Sequence, residues 1–303
     1  MKIDVSIVIV NYRTPELTMK CLDSLARWVG GVSYEIIVVD NGSTDGSEEA
    51  IRKFKIQNSK FKIEVIRNRE NLGFAGGNNL GAGKAKGRYV LLLNSDTALF
   101  EDAVSPMVNY MDENPSVGVV SCRLVNKDGS TQETGGFFPD LRRLFFWATF
   151  LDDLPGVGGL VKPYHPRGTG FYDEGRDLDW VSGAVFMVRR SLWDEMAGLD
   201  EEYFMYVEEV DFCFRLRERG YRVRYEPLVS IMHLGGGSGG GSEAQVMGEF
   251  RGLVKFYEKH FKNEVVKAKW CLRLAAVLRL VVFGFLGGQR EARRAYGKVL
   301  AVL

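Results

Sequence analysis

The sequence predicts an α/β fold in which a mostly parallel central sheet is flanked by helices. Short apolar runs rich in β-branched residues alternate with helical stretches over about the first 120 residues, as in successive βαβ units. In addition, 46% of the 303 residues are hydrophobic, which is enough for one large buried core or two small ones. Both observations favour a globular protein.

Five apolar runs are the predicted strands of the first half. They cover residues 5–10, 35–40, 62–67, 89–94 and 117–122. Thr14 as N-cap and Pro15 in the first turn predict a helix that ends near Trp28. A second helix is predicted from Ser43 to Phe54. Because ligands bind beyond the carboxyl ends of parallel strands, the polar residues at these ends should share one crevice. These residues are Asn11, Asp40, Asn41, Asn94, Ser95 and Asp96.

The second half of the body is less regular. Residues 127–177 contain many turn-forming residues, and we expect an irregular segment placed over the crevice. A strand that begins at Trp180, a helix from Val207 to Arg219 and a strand from Tyr221 to Val229 are predicted after it.

A glycine-rich stretch divides the chain. Residues 235–242 consist of Gly and Ser alone and have the composition of a synthetic linker or of a natural glycine loop. We therefore predict one domain over residues 1–242 and a helical C-terminal segment over residues 243–303.

The C-terminal end is basic and amphipathic. Between residues 265 and 303, eight basic residues and one acidic residue give +7, which leaves −6 for the rest of the +1 total. Apolar residues recur at a helical period from Trp270 to Phe285. The uninterrupted apolar run Leu280–Leu286 is far shorter than the ~20 residues of a membrane span. The segment either lies at an anionic membrane interface or packs on the domain.

Composition also narrows the class of partner and the compartment. A net charge of +1 is too small for a protein that neutralises nucleic-acid phosphates, so no nucleic-acid partner is expected. The four cysteines are widely spaced, which indicates neither a zinc knuckle nor a disulfide framework. The first apolar run, Val5–Val10, is too short for a signal-peptide core. We expect a cytoplasmic protein, at the cytoplasmic face of the membrane if the basic end binds lipid.

The turn Asn94-Ser95-Asp96 is a candidate metal and diphosphate site. A carboxylate at a sheet edge is stabilised by a divalent cation that it shares with a diphosphate. A helix-capping or turn aspartate is the alternative. Asp40 and Asn41 have the same two interpretations. They could contact the base or ribose of a nucleotide, or they could form an ordinary turn and helix cap.

The segment Asn71–Asn79 is rich in glycine, so its backbone amides could approach a phosphate or a sugar at a helix start. It follows the third predicted strand rather than the first, so it is not a dinucleotide-binding fingerprint. Ala85 follows Gly83-Lys84 where a P-loop requires Ser or Thr.

Three acids form a cluster at Glu208, Glu209 and Asp211. On a helix Glu208 and Asp211 share a face, whereas Glu209 points elsewhere. A solvated acidic face is the plain interpretation. Flanking apolar residues such as Phe212 would bury at least one of these acids, and a carboxylate with a raised pKa can accept a proton from a hydroxyl group.

Two more residues near the crevice have alternative roles. His233 follows an apolar strand, where it is either a structural hydrogen-bonding group or a contact for metal or diphosphate. Trp180 is either a core residue or a platform for a sugar.

Seven segments in order between residues 4 and 240 resemble family 2 glycosyltransferases, near the rhamnosyltransferase-like members. They are VSIVIVNY, VVDNGSTDGS, NRENLGFAGGNN, LLLNSDT, WVSGAVFMVRR, GLDEEYFMYVEEVDFCFRLRERGYRV and HLGGGS. The resemblance implies the GT-A fold, a single Rossmann-like domain with C-terminal helices. It also implies an enzyme that transfers a hexosyl group from a nucleotide-sugar donor, with dTDP-rhamnose the donor of the nearest members.

The resemblance also implies roles for individual residues. Glu209 falls at the position of the catalytic aspartate, with Glu208 as a possible substitute. Donor contacts are implied for Asn11, Asp40, Asn41, Gly76, Asn78, Asn94, Ser95 and Asp96. Asp96 and His233 would hold the metal, and Trp180 and Asp211 would lie at the acceptor.

This chain departs from the family pattern at two places. The metal turn reads Asn-Ser-Asp rather than Asp-x-Asp, so one carboxylate is left for the ion, and Mg²⁺ and Mn²⁺ fit equally. The base is glutamate rather than aspartate, which changes its reach but not its chemistry.

The predicted function is inverting transfer to a hydroxyl group of a glycan or a lipid-linked saccharide in cell-surface polysaccharide or glycolipid synthesis. A non-catalytic nucleotide-sugar-binding module and a sugar nucleotidyltransferase are the alternatives. The second would require a basic, glycine-rich loop after the first strand, where Asn11-Tyr-Arg-Thr-Pro15 stands.

Overall fold

A mixed sheet forms the centre of the molecule. The computed structural model describes residues 2–57, 62–154, 156–235 and 241–303. The strands are β1 (Val5–Asn11), β2 (Tyr34–Asn41), β3 (Ile63–Asn68), β4 (Tyr89–Leu93), β5 (Thr97–Leu99), β6 (Val117–Val125), β7 (Gly135–Gly136), β8 (Arg176–Leu178), β9 (Trp180–Val181), β10 (Val185–Arg189) and β11 (Arg222–His233).

Helices cover both faces of the sheet and form the C-terminal end. They are α1 (Pro15–Trp28), α2 (Ser47–Gln57), α3 (Gly73–Ala82), α4 (Val104–Glu113), α5 (Leu141–Thr149), α6 (Val157–Val161), α7 (Arg190–Glu195), α8 (Glu208–Glu218), α9 (Gly241–His260), α10 (Val265–Arg279) and α11 (Arg290–Val302). A π-helical segment, Leu280–Leu286, joins α10 to α11.

The sheet has a parallel half and a mixed half. Its order is β3-β2-β1-β4-β10-β6-β11-β5, with β8 on β11. The pairs among β1 to β4 are parallel, as is β6 with β11, whereas β10 runs antiparallel to β4 and β6. Strands β5 and β8 pair antiparallel with β11. The predicted α/β class is confirmed, and the carboxyl ends of β1, β2 and β4 lie at one edge as expected.

The predicted elements differ from the observed ones where tertiary contacts decide. The strand expected from Trp180 is broken at residues 182–184, between β9 and β10. The last strand continues to His233 through an irregularity between Tyr225 and Ser230, where Pro227 cannot donate to the ladder. The segment expected to be irregular contains α5, which begins at the side-chain cap of Asp140.

The C-terminal helices share a core with the body. Buried residues of α9, α10 and α11 belong to the same apolar cluster as β9 and β10, among them Phe250, Leu253, Leu272, Ala276 and Val299. The opposite face of α10 is exposed. The C-terminal segment therefore packs on the domain, which was one of the two predicted alternatives, but α10 does so through one face only. No helix of the described residues is both long enough and apolar enough to cross a membrane.

The division of the chain at residue 242 stays a prediction. Most of the Gly/Ser-rich stretch on which it rests, residues 236–240, lies outside the described residues. Helix α9 begins within the stretch, at Gly241.

Candidate active site

A cavity of about 260 Å³ lies at the carboxyl ends of the parallel strands. It is lined by eight of the predicted site residues: Asn41, Asn78, Asn94, Ser95, Asp96, Glu208, Glu209 and His233. Asn41 and the Asn94-Ser95-Asp96 turn come from the ends of β2 and β4, and Asn78 comes from α3. Helix α8 supplies Glu208 and Glu209, and the end of β11 supplies His233. Residues more than 150 positions apart thus meet in one cavity.

Asn41 organises the wall of this cavity. Its Nδ2 donates to Asn71 Oδ1 and to the carbonyl oxygen of Gly73, both at 2.9 Å, and its Oδ1 accepts from the amide of Leu72 at 3.2 Å. The loop before α3 is thereby fixed to the end of β2.

Asn11 and Asp40 lie deeper than predicted. Asn11 Nδ2 donates to Asp40 Oδ1 at 2.7 Å, and both residues are fully buried. Neither is among the described residues that line the cavity. Gly76, for which a contact with the donor is predicted, is buried in α3 and is likewise not among the described residues that line the cavity.

The Asn94-Ser95-Asp96 turn meets His233 through strand pairing. Thr97 of β5 is opposite His233 of β11, which brings the imidazole beside the preceding Asp96. His233 Nε2 lies 3.3 Å from Asp96 Oδ1 and 3.3 Å from Asn94 Nδ2. Asp96 is only 4% exposed.

Gln132 orients this histidine. Its Nε2 donates to the carbonyl oxygen of His233 at 2.6 Å, so its Oε1 faces the ring and accepts from Nδ1–H at 2.9 Å. The lone pair of Nε2 then points toward Asp96, as it does in histidines that bind a metal ion. An imidazole nitrogen and a carboxylate suit a divalent cation that takes its remaining ligands from a diphosphate. Within the described ranges, no group of three or more His, Cys, Asp or Glu residues could hold a metal alone.

Glu208 and Glu209 begin α8 after a strained turn. Tyr206 and Val207 both have φ of +74°, a conformation that is rare for a β-branched residue. Both carboxylates line the cavity, and in each the Oε2 atom is buried without a hydrogen-bond partner among the described residues. Strain and unsatisfied polar atoms together indicate a candidate functional site.

Burial shifts the titration of this acidic pair. Removal from water raises the pKa of Glu209 to about 7, although the nearby His165 lowers it. Burial and the charge of Glu209 raise the pKa of Glu208 well above its usual range. A glutamate with a pKa near 7 can accept a proton from a hydroxyl group at neutral pH.

Asp211, the predicted acceptor contact, is not among the described residues that line this cavity, and its role at an acceptor stays a prediction. Its carboxylate is fully buried away from the cavity and accepts hydrogen bonds from His260 Nε2 at 2.7 Å and Arg215 Nε at 2.8 Å. Burial alone would raise its pKa, but the bond from His260 and the charges of Arg215 and Lys259 hold that pKa at about 2. Asp211 connects α8 to α9.

Trp180 lines a second cavity, of about 400 Å³, next to the first. Tyr206, Glu209 and Gln245 line both cavities. The indole Nε1 donates to the carbonyl oxygen of Phe137 at 3.3 Å, and the ring packs 5.5 Å from that of Tyr164. Trp180 thus serves as a core residue and as part of a cavity wall beside Glu209.

Sequence reasoning missed several residues of these cavities. Tyr12, Phe74 and the Ser182–Ala184 break line the first cavity, and Arg279 lines the second. Gly183 gave a usable signal, because a glycine inside an apolar strand pattern indicates close approach. A Cβ at Gly183 would lie 2.9 Å from the Phe74 ring.

Comparison with known proteins agrees with this geometry. The sequence model described as glycosyl transferase family 2 matches residues 6–168. The chain belongs to glycosyl transferase family 2. This assignment makes it a glycosyltransferase and favours neither the non-catalytic module nor the sugar nucleotidyltransferase.

Curated relatives place this glycosyltransferase near rhamnosyltransferases. It is 26% identical over 239 residues to a low-salt glycan biosynthesis hexosyltransferase of Haloferax volcanii, covering 76% of this chain and 67% of the relative. It is 27% identical over 218 residues to an N-acetylglucosaminyl-diphospho-decaprenol L-rhamnosyltransferase of Mycobacterium tuberculosis, covering 65% and 66%. Rhamnosyltransferase WbbL of Escherichia coli is 23% identical over 225 residues, with 65% and 82% covered. The matched part of the chain thus spans about two thirds of the first two relatives.

Solved structures support the GT-A fold of this glycosyltransferase. A mannosyltransferase of Pyrobaculum calidifontis, solved with GDP-Man and Mn²⁺, aligns with a TM-score of 0.60 at 18% identity, covering all of this chain and 81% of the other. GalNAc-T7, solved with UDP, GalNAc and Mn²⁺, gives 0.62 at 17% identity, covering 87% and 49%.

Proposed function

We propose that this protein is an inverting glycosyltransferase that moves a sugar from a nucleoside diphosphate to a hydroxyl group of a saccharide acceptor. The observation that carries the proposal is a single cavity lined both by Asp96 with His233 and by the buried pair Glu208 and Glu209. The first two suit a metal-bound diphosphate, and the second two suit a base. Both are needed for sugar transfer.

In this mechanism Glu209 removes the proton of the acceptor hydroxyl group. The hydroxyl oxygen attacks the anomeric carbon from the face opposite the diphosphate, and the bond to the leaving oxygen breaks with its electron pair. One displacement inverts the configuration. Glu209 is favoured over Glu208 because it lines both cavities and has a pKa of about 7.

Asp96 and His233 would hold a divalent cation, Mg²⁺ or Mn²⁺. When bound, such an ion neutralises the charge that develops on the departing diphosphate. Asn41, Asn78, Asn94 and Ser95 are the proposed polar contacts of the donor, since all four line the same cavity. The presence of Mn²⁺ in both solved neighbours supports a metal-dependent reaction.

The relatives suggest the chemical class of donor and acceptor. Two of them are named rhamnosyltransferases, and one name specifies a sugar carried on a diphospho-decaprenol. We propose dTDP-rhamnose as the donor and a lipid-linked saccharide as the acceptor, in cell-surface polysaccharide or glycolipid synthesis.

The exposed face of α10 is the proposed membrane contact. Its outward apolar residues lie three or four positions apart and continue into the π-helical segment: Val266, Trp270, Leu274, Val277, Val281 and Phe285. We call this set the apolar stripe. The +7 charge of residues 265–303 complements an anionic lipid surface, so the proposed location is the cytoplasmic face of the membrane.

The decisive experiment compares two isosteric variants. Glu209→Gln should reduce transfer by roughly 10²–10⁴-fold and leave donor binding unchanged, because only the proton acceptor is lost. Glu208→Gln is the matched control, and it should retain most of the activity. The reverse result would assign the base to Glu208.

The stereochemistry of the product tests the single displacement. The donor is first found by measuring hydrolysis of a panel of nucleoside diphosphate sugars, dTDP-rhamnose among them, with and without Mn²⁺. The anomeric configuration of the transferred sugar is then determined by NMR. Retention of the donor's configuration would overturn the mechanism, and absence of hydrolysis for every donor would overturn the proposed function.

A further inference from the structure

The second cavity contains a buried cation. Arg279, at the end of α10, lines this cavity and is 5% exposed. Its guanidinium carbon lies 4.1 Å from the centre of the Trp147 ring and 4.6 Å from that of Phe150. Its Nη2 donates to the carbonyl oxygen of Trp147 at 2.9 Å, and its Nη1 to that of Ala148 at 3.3 Å.

Among the described residues, this cation forms no ion pair with a carboxylate. In the described part of the chain, no Asp or Glu oxygen lies within 4.0 Å of its nitrogens, whereas most other buried or half-buried arginines near the sheet have such a partner. Carbonyl oxygens and aromatic faces compensate only part of the cost of removing a charge from water. Burial accordingly lowers the pKa of Arg279, although an arginine keeps its charge. An anion in the cavity would complete this environment.

The location relates the cation to the reaction centre. Glu209 lines the same cavity, so a ligand held there reaches the proposed base. Trp180 and Tyr164 supply aromatic rings on which a sugar can pack. Arg167, which is paired with Asp153, adds a second guanidinium to the lining.

The same cavity touches the proposed membrane face. Phe283 lines it, while Val282 and Phe285 of the same π-helical segment are exposed. A molecule whose anionic group is attached to a lipid could therefore place the anion in the cavity and the lipid beside the apolar stripe.

We propose that the second cavity is the acceptor site and that Arg279 binds a phosphate group carried by the acceptor. The planar guanidinium matches two phosphate oxygens at once, which an ammonium group cannot do. The assignment of this cavity to the acceptor rests on the proposed function, but the phosphate site itself can be tested without any transfer reaction. The phosphate belongs either to a lipid-linked saccharide or to a free sugar phosphate.

Binding is measured with two probes on the full chain, with EDTA present so that no metal-bound diphosphate site contributes. Octyl phosphate represents the lipid-borne ester and glucose 1-phosphate the free one, and both are titrated by calorimetry. We expect saturable binding by the wild type, stronger for octyl phosphate. Octyl glucoside, which lacks the charge, should bind at least tenfold more weakly than octyl phosphate.

Two variants at one position test the residue. Arg279→Gln should weaken binding of both phosphates by at least tenfold, and Arg279→Lys by a smaller factor, because it keeps the charge but loses the planar fork. Arg294→Gln, at an exposed arginine of α11, is the matched control and should bind like the wild type. If Arg279→Gln fails to fold in a thermal-unfolding measurement, the comparison of Arg279→Lys with the wild type decides whether Arg279 binds the phosphate.

Each result has a definite reading. Preference for glucose 1-phosphate with the same dependence on Arg279 supports the site and assigns it to a soluble sugar phosphate. Equal phosphate binding by the wild type and the foldable Arg279 variants, or no binding at all, overturns the proposal. Donor hydrolysis by these variants is measured separately. Intact phosphate binding without hydrolysis of any donor would contradict the proposed function but not the phosphate site.

Discussion

Glu209 combines two properties that a base in this reaction needs. It is held at a cavity wall by a turn in which Tyr206 and Val207 adopt positive φ, and burial keeps its pKa near neutrality. A carboxylate of ordinary pKa would be ionised but a weaker proton acceptor, whereas one raised much further would be protonated at pH 7. The strained turn therefore helps to hold Glu209 where burial raises its pKa.

The pH dependence of the reaction follows from this pKa. Below about pH 7 Glu209 becomes protonated, so kcat/KM should fall about tenfold per pH unit on the acidic side. Glu249, a nearby acid, contributes to the raised pKa of Glu209 by its negative charge. In Glu249→Gln the acidic limb should move to lower pH, as measured by kcat/KM between pH 5 and pH 9. A limb that does not move, or one that moves upward, would argue against Glu209 as the titrating base.

Gln132 is a second residue whose role can be isolated. Replacement by Leu removes the acceptor for His233 Nδ1–H and should weaken Mn²⁺ affinity by about 10–100-fold, because the ring loses its orientation. The measurement is the Mn²⁺ concentration needed for half-maximal donor hydrolysis. Gln132→Glu keeps an acceptor for Nδ1–H but loses the donor to the carbonyl oxygen of His233, so it should lose less affinity than Gln132→Leu. Similar affinities in the wild type and Gln132→Leu would remove His233 from the metal site.

At the scale of elements, α9 packs against the strained turn of Tyr206 and Val207. A Cβ at Gly248 would lie 2.4 Å from Tyr206 Cδ2, and one at Gly252 would lie 2.7 Å from Val207 Cγ2 and 2.8 Å from the carbonyl oxygen of Tyr206. The two glycines are one helical turn apart, so they form a flat patch against which the turn packs. At its other end α9 contributes His260 to the carboxylate of Asp211 in α8.

Gly252→Ala tests this contact. Alanine favours a helix over glycine by about 1 kcal/mol, so at an open position the change should stabilise the protein. Here the clash with the backbone at Tyr206 should reverse the sign, lower the free energy of unfolding and reduce kcat. Gly297→Ala in α11 is the matched control, since a Cβ added there would meet no described atom within 4 Å apart from its own stretch of helix. It should raise the urea midpoint or leave it unchanged. A stabilised, fully active Gly252→Ala would show that the turn does not depend on α9.

Local patterns were sufficient to predict the strands of the parallel half and the polar residues at their ends. Strands β1, β2 and β4 are runs rich in Val, Ile or Leu, and the residue type changes to Asn or Asp where each strand reaches the sheet edge. These signals act within a few residues, so one sequence contains them. The crevice followed from these local signals. The placement of His233 near Asp96 was instead implied by the family resemblance.

The placement of the acids was beyond such patterns. Helical periodicity grouped Glu208 with Asp211, but the cationic partners Lys259 and His260 lie about 50 residues further along and draw Asp211 away from the cavity. Gln132 contacts His233, and Arg279 lines the second cavity, although the segments of both showed no matching motif. These contacts depend on how distant elements pack, which periodicity does not encode.

For the molecule as a whole, the second cavity lies between the reaction centre and the apolar stripe. The body contributes Glu209 and Trp180 to this cavity, and the C-terminal helices contribute Arg279 and Phe283. A protein that rests on a bilayer by the stripe would therefore present its proposed acceptor site near the lipid surface. Orientation at the membrane and access to a lipid-linked acceptor then depend on the same helices.

Vesicle binding measures this orientation directly. The wild type should sediment with vesicles of equal parts phosphatidylglycerol and phosphatidylcholine, and binding should weaken in pure phosphatidylcholine or at high salt, because the basic residues contribute electrostatically. Trp270, the largest side chain of the stripe, is 66% exposed. Burying a large apolar side chain contributes about 1.5–3 kcal/mol, so Trp270→Glu should weaken binding by roughly tenfold or more. Trp28→Glu, at a 41% exposed tryptophan of α1, is the matched control and should bind like the wild type. If the wild type stays in the supernatant, or if both variants lose binding equally, the stripe is not the membrane contact and the acceptor must reach Arg279 from solution.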